Sequence, residues 1–259
     1  NKAMTPKAVA STPYKPGSTM RIMWLIARRQ MVEALRTRSA SVVVGFFLLF
    51  QSILIPFSLG SLLGGHTRQD MLLASTLIAF FLLWVGMMYS NPAIGIAAGV
   101  FAGDKERNSL VPLLVTPASN LAIFGGKVLG AILPALLYTL IGVSWYFGEI
   151  ALLFGPDRLS WLPMSLAVPT LLSIPAMALF GVTIACVISS RVTTFQSAQN
   201  YSSLILIVLW AALSALVFLI ASLGIRALVS AVILTYILDI LLITLAAATW
   251  RREEVMAKQ

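Results

Sequence analysis

Asp239 and Asn91 are the polar side chains with the greatest potential for chemistry, because both lie inside long apolar segments. A charge at the middle of a membrane costs roughly 3 kcal/mol or more. Asp239 would therefore carry a proton, bind a cationic group or line a substrate cavity; alternatively, it stays neutral and stabilises helix packing. Asn91 precedes Pro92, which frees backbone carbonyl groups, so Asn91 lies either beside a transport pathway or at a hydrogen-bonded packing kink.

The sequence lacks the patterns of the common catalytic centres. Gly126-Lys127 superficially matches the end of a phosphate-binding loop, but that pattern needs glycine at position 121 and Ser or Thr at position 128. This chain has Leu121 and Val128 there. No nucleophile elbow or zinc-protease pattern occurs, and one cysteine and one histidine exclude a cysteine-cluster metal site. We expect a chain that is not itself an enzyme and holds no cofactor or metal.

The segment 102–127 is a charged interruption between two apolar stretches. Four charged residues occupy positions 104–107, in a chain with few charges elsewhere. Such a group cannot lie in hydrocarbon, so we expect a surface loop. Residues 109–114 can form a short helix, which Thr116-Pro117 would end, because the residue before a proline is pushed out of the helical region. A short helix at the membrane face suits the docking of a soluble partner.

Composition places the whole chain in a membrane. Of its 259 residues, 59% are hydrophobic and 10% are charged, and the mean hydropathy is +0.94. Soluble domains carry about 25% charged residues. The net charge of +9 does not indicate nucleic acid, because the cations lie at the ends of apolar segments and form no single face with interleaved aromatic residues.

The apolar segments predict six membrane spans within a domain covering 39–250. Each is long enough for a hydrocarbon core about 30 Å thick. We expect 1–19 to be a disordered tail rather than a signal peptide, since no apolar run follows it directly, and 251–259 to be a charged tail. The predicted spans are 41–63, 71–102, 121–147, 164–190, 201–222 and 227–249.

Residues 20–38 predict an amphipathic helix ahead of the first span. Trp24 belongs to an apolar face, whereas Arg28 and Arg29 belong to a basic face. Such a helix suits the surface of an anionic membrane leaflet. Three apolar residues, Ile22, Leu25 and Ile26, stray toward the polar side and are expected to face protein. The alternative is an ordinary start to the first span, with arginines that extend to the interface.

The distribution of cations predicts the orientation. With six spans, both termini lie on the same side, together with the 102–127 segment. Only Arg68, Arg158 and Arg226 would lie on the other side, while the remaining 15 of the 18 lysines and arginines share the side of the termini. The positive-inside rule therefore predicts a multi-pass protein of the plasma (inner) membrane with cytoplasmic termini.

The charged segment and its surroundings resemble the permease subunits of ABC-2 type ABC transporters, specifically the sodium/drug exporter-like ones. The residues that carry the resemblance are Lys105-Glu106-Arg107, Leu113-Leu114, Thr116-Pro117 and Gly126-Lys127. The layout of an amphipathic helix followed by six spans also matches. Asn108 departs from the family, which commonly has glycine there.

The resemblance implies an all-α integral membrane fold with an N-terminal interfacial helix and a cytoplasmic coupling helix between spans 2 and 3. The coupling residues would be Glu106, Arg107, Leu110, Leu113, Leu114, Thr116 and Pro117. It also implies a separate ATPase subunit, which would hold ATP and Mg, and a second permease, identical or different, around a shared path. The apolar spans favour a hydrophobic or amphipathic cargo, although a sodium ion or a polymer stays open.

Two rival classes of protein remain. An ATP-independent secondary transporter or channel would explain Asp239 without any partner, but it predicts internal repeats or several intramembrane charges. A membrane enzyme or assembly factor would need clustered polar residues at one membrane face. Glu149, Asp157 and Arg158 are the residues available for that, and their pattern is typical of a solvated loop.

Overall fold

A computed structural model describes residues 19–36, 38–64, 67–107 and 118–249 of the chain. These ranges are almost entirely helical and contain no strand. The helices are α1 (Thr19–Leu35), α2 (Arg38–Leu63), α3 (Arg68–Glu106), α4 (Asn120–Phe154), α5 (Met164–Arg191), α6 (Phe195–Leu223) and α7 (Ile225–Thr249), with a 3₁₀ helix at Pro156–Trp161 between α4 and α5.

Helices α2 to α7 each contain a stretch long and apolar enough to cross a bilayer. The expectation of an all-α membrane protein with six such helices is therefore confirmed. Helix α3 is the centre of the bundle, since it packs against α2, α4, α5 and α6. Gly86 of α3 allows α5 to approach closely, because a Cβ atom added at this position would lie 2.3 Å from Ile174 Cδ1 of α5.

Two predicted loop positions are wrong. Helix α3 continues to Glu106, so the charges at 104–106 form its last turn rather than a loop. Helix α4 continues to Phe154, so Glu149 is a buried helical residue with 6% exposure and not part of a solvated loop. In both places the charged side chains meet partners on other helices, which spacing along the sequence does not reveal.

Helix α1 packs closely against the first turns of α4. A Cβ atom added at Gly126 would lie 2.8 Å from Met23 O, and one added at Gly130 would lie 2.5 Å from Gln30 Cβ. The spacing of the two glycines, four residues apart, is that of helix pairs whose backbones touch in membranes. Ile22 packs against the main hydrophobic core, as the sequence predicted of it.

The two other stray apolar residues of α1 behave differently from each other. Ile26 also packs against the main core. Leu25, by contrast, is 55% exposed, so the prediction that it faces protein is wrong within this chain. A helix rotates by about 100° per residue, so position 25 points away from the face of α1 that Met23, Ile26 and Gln30 present to α4.

Replacing Gly130 with valine tests the contact between α1 and α4. The new side chain would overlap Gln30, so we expect a loss of about 1–3 kcal/mol in stability and new reactivity of an Ala27→Cys thiol toward a maleimide. Ala27 is fully buried. Gly148→Val, on the same helix, is the matched control because an added Cβ there meets nothing within 4 Å. Equal effects of the two substitutions would contradict the packing.

Candidate functional site at the charged end of α3

A buried ion pair joins the end of α3 to the start of α4. Lys127 is 1% exposed, and its Nζ donates to Asp104 Oδ2 at 2.6 Å and to the backbone carbonyl of Val100. The ammonium group also lies 4.6 Å from the centroid of the Phe101 ring. A buried ammonium ion is stable only with such compensation, so these contacts hold the two helix ends side by side.

The next two residues of α3 contact two further helix ends. Lys105 Nζ donates to Ser190 O at 2.7 Å and to Val192 O at 2.9 Å, at the C-terminus of α5. Glu106 Oε1 accepts from the backbone N–H of Phe195 at 2.8 Å, at the N-terminus of α6. A cation at a helix C-terminus and an anion at an N-terminus both complement the helix dipole.

A serine from α5 is inserted into the hydrogen-bond ladder of α3. Ser189 Oγ accepts from the backbone N–H groups of Phe101 and Ala102 at 3.1 and 3.0 Å, and donates to Ala98 O at 2.6 Å. A side chain in this position couples the backbones of two helices more directly than surface packing does. The last turns of α3 and α5 therefore form one unit.

Three consecutive residues, Asp104, Lys105 and Glu106, thus bind the ends of α4, α5 and α6; we call them the end cluster. Arg107 follows the cluster and is exposed. The other predicted coupling residues lie outside the described part of the chain, and their role stays a prediction; they are Leu110, Leu113, Leu114, Thr116 and Pro117.

An open groove of about 710 Å³ runs along α3 from the end cluster into the bundle. Its size falls within the range of ligand-binding clefts. Helix α3 is its floor, α1 and α2 form one wall, and α6 forms the other. The charged end holds Glu33, Asp104, Glu106 and Arg107, and the interior is lined by Gln30, Ala34, Val43, Phe47, Asn91, Pro92, Gly95, Ile96, Gly99, Gly103, Phe195 and Gln199.

The groove exists because α2 and α6 both pack on α3 without packing extensively on each other. Gly95 and Gly103 leave it wide, since an added Cβ atom at either position meets nothing within 4 Å. Beyond Asn91, aromatic rings connect the helices that wall it. Trp84 of α3 lies 6.1 Å from Phe50 of α2 and 6.4 Å from Trp210 of α6, between ring centroids.

The two predicted pathway residues lie in different places. Asn91 lines the groove, and its Oδ1 atom is buried without a hydrogen-bond partner among the described residues. Asp239 is fully buried on α7, and within the described ranges neither of its carboxyl oxygens has a partner. It does not line the groove. The structure therefore associates Asn91, but not Asp239, with the end cluster.

The predicted interfacial residues lie on the outer surface of α1. Trp24 is 52% exposed, and Arg28 and Arg29 are exposed as well. Arg29 Nε donates to Glu33 Oε1 at 3.0 Å along the same helix. Because the opposite side of α1 packs on α4, this helix presents a cationic and aromatic face away from the bundle.

Sequence reasoning missed three residues of this site. The sequence groups Lys127 with the charged segment 102–127, but gives no sign that it is almost fully buried beside Asp104. Ser189 had no local pattern to mark it. Gly130 did have a signal, because it follows Gly126 at the four-residue spacing of close helix contacts.

Comparison with known proteins identifies neither a family nor a function for this chain. No family model matches the chain, and no curated protein matches it.

Asp104→Asn tests the buried ion pair. The change leaves the Lys127 ammonium group without its counter-charge, and we expect a loss of about 3 kcal/mol in stability. Adding Lys127→Met should recover most of that loss, because no unpaired charge remains. Cys186 is the single cysteine and is buried, so a thiol-reactive dye reports unfolding directly.

The control for this series is Arg29→Met, which removes an exposed ion pair and should cost about 0.5 kcal/mol or less. If the double variant is as unstable as the sum of the two single variants, the two side chains act independently and the ion pair does not hold the helix ends together.

Proposed function

We propose that this chain is the permease subunit of an ATP-driven ABC-2 type exporter. The observation that carries the proposal is the end cluster, which binds the ends of α4, α5 and α6 immediately before the segment that resembles a coupling helix. A force applied to that segment would reach four helices at once. The motif Lys105-Glu106-Arg107 and Gly126-Lys127 supports the family independently of the geometry.

In this proposal, 108–117 docks on a separate ATPase subunit, which holds ATP and Mg. The apolar residues Leu110, Leu113 and Leu114 carry most of the docking, because an exposed ion pair contributes roughly 1 kcal/mol or less. Closure of the ATPase would displace α3 and, through Glu106 and Phe195, the start of α6. Helix α1 would move with α4, because the two helices touch at Gly126 and Gly130.

The groove is half of the transport path in this proposal, and a second permease, identical or different, covers its open side. Its charged end would face the cytoplasm, in agreement with the positive-inside rule. The contacts of Trp84 with Phe50 and Trp210 would close the path toward the outside. An apolar interior with a charged entrance suits a hydrophobic or amphipathic cargo.

The exposed face of α1 would lie at the lipid interface. Trp24 is an amphipathic ring of the kind enriched there, and Arg28 and Arg29 would attract anionic lipid headgroups. Both termini are then cytoplasmic, and the protein is a multi-pass component of the plasma (inner) membrane.

An ATP-independent secondary transporter is the second candidate function. Asp239 favours it, because its carboxyl group is fully buried without a partner among the described residues. Such a protein would not need a docking segment, and its activity would depend on Asp239 rather than on 108–117.

Leu113→Asp with Leu114→Asp separates the two candidates. In a permease, these changes should abolish co-purification with the candidate ATPase and lower the stimulated ATP hydrolysis in nanodiscs at least tenfold. The matched control is Leu152→Asp with Leu153→Asp, a second adjacent leucine pair, which lies at the far end of α4 with 82% and 57% exposure. Intact docking in the first variant would refute the permease proposal, as would solute movement by the chain alone without nucleotide.

Trp84→Ala with Trp210→Ala tests the aromatic closure of the groove. Removing both rings opens the contact between α3 and α6, and we expect leakage of an amphipathic dye through liposomes that contain the complex without ATP. Trp145→Ala is the control, because Trp145 is 48% exposed, makes no ring contact across α3 and α6 in the described ranges, and donates from Nε1 to Ser52 Oγ. Unchanged leakage would show that the rings do not close the path.

A further inference from the structure

A second set of polar residues is buried between α2, α3 and α4, behind the groove wall, where the Tyr89 ring lies 5.8 Å from that of Phe47 between centroids. Gln51 and Tyr89 are fully buried, and Glu149 is 6% exposed. Each residue comes from a different helix: Gln51 from α2, Tyr89 from α3 and Glu149 from α4. None of the three lines the groove or belongs to the end cluster.

The three side chains converge on one face of α4. Gln51 Nε2 donates to Gly142 O at 3.4 Å, and the Tyr89 ring packs on the same glycine, where an added Cβ atom would lie 2.3 Å from Tyr89 Cδ2. Glu149 lies two turns further along α4. Its carboxyl group lies against the Gln51 amide and within electrostatic range of Tyr89.

One oxygen atom of each residue lacks a hydrogen-bond partner among the described residues. These atoms are Gln51 Oε1, Tyr89 Oη and Glu149 Oε2, and all three are buried. Nearby Tyr146 does not supply the missing contact, because its hydroxyl donates to Ile78 O at 2.9 Å. Buried polar atoms without partners need an explanation, and a bound ion or water is one that fits three such atoms on neighbouring helices.

The charge of the three side chains limits the kinds of ligand that they could bind. The titratable groups that face Glu149 are Tyr89 on α3 and Tyr146 on its own helix, and neither supplies a positive charge. Within the described ranges, no lysine or arginine forms an ion pair with Glu149. A lone carboxylate buried among membrane helices is strongly unfavourable, so one positive charge is needed to balance it.

We propose that Gln51, Tyr89 and Glu149 form a binding site for one monovalent cation, which is either a proton or an alkali-metal ion. Either ligand neutralises the single carboxylate. An alkali-metal ion could take oxygen ligands from all three helices, whereas a proton on Glu149 would let its carboxyl group donate to one of the other two oxygens. Helix α2 is exposed along much of its length, so the bound cation fastens it to α3 and α4.

The test measures the melting temperature of the purified chain in lipid nanodiscs, with thiol dye at Cys186 as the readout. A ligand that binds only the folded state raises the melting temperature. If the site takes an alkali-metal ion, Na⁺ or K⁺ at equal ionic strength should raise it by about 3 °C or more over choline at constant pH. Glu149→Gln should abolish that increase.

A second set of measurements, made in choline buffer at different pH values, tests whether the bound cation is a proton. A folded state that holds a proton which the unfolded chain releases becomes less stable as the pH rises. The melting temperature of the native chain should then fall between pH 6 and pH 8, and that of Glu149→Gln should fall less. Asp157→Asn is the matched control in both arms, because Asp157 is an exposed acid beyond the end of α4.

Tyr89→Phe provides a second variant that preserves the packing and removes one oxygen ligand. It should reduce the dependence of the melting temperature on Na⁺ or K⁺, or on pH, according to which of the two the native chain shows. The thermal transition should remain cooperative. The proposal is overturned if native protein and Glu149→Gln respond identically to Na⁺, K⁺ and pH, since the cluster would then hold only water. It is equally overturned if Asp157→Asn removes the response as completely as Glu149→Gln.

Discussion

The burial of Lys127 is the constraint on which the charged end of the bundle depends. An ammonium group at 1% exposure must lie beside its counter-charge, and Asp104 supplies that charge from the last turn of α3. The end of α3 and the start of α4 are therefore held together. Lys105 and Glu106 reach α5 and α6 from the same turn of α3.

Helix contacts elsewhere depend on small residues rather than on hydrophobicity. Lipid tails are as apolar as leucine, so close packing must supply the attraction between membrane helices. Gly86 and Gly142 bring α5 and α4 against α3, and Gly126 and Gly130 bring α1 against α4. Helix α1 consequently belongs to the bundle through one face, while its cationic face remains available to a lipid surface.

Hydropathy is sufficient to predict the six helices long and apolar enough to cross a bilayer, because hydrocarbon imposes length and composition on such helices. It failed where a charged residue has its partner on a distant helix. The charge pattern alone predicts loops at 104–106 and at Glu149, since sequence spacing cannot show that Ser190, Phe195 and Gln51 lie beside these residues. Asn91 was predicted as a pathway residue from its proline neighbour, yet the groove that it lines arises from the separation of α2 and α6 and has no local signature.

The polar groups of the bundle fall into two sets with different physical consequences. At the end cluster, each charged side chain has a partner at hydrogen-bond distance, so that end moves as a unit or not at all. Gln51, Tyr89, Glu149 and Asp239 lie deeper, and each keeps an oxygen without a partner in the described ranges. Unsatisfied buried atoms make one arrangement of helices less favourable than a packed apolar core would. A cation bound at Gln51, Tyr89 and Glu149 would offset this cost there. The end cluster needs no such ligand, because its charged groups already have partners on α4, α5 and α6.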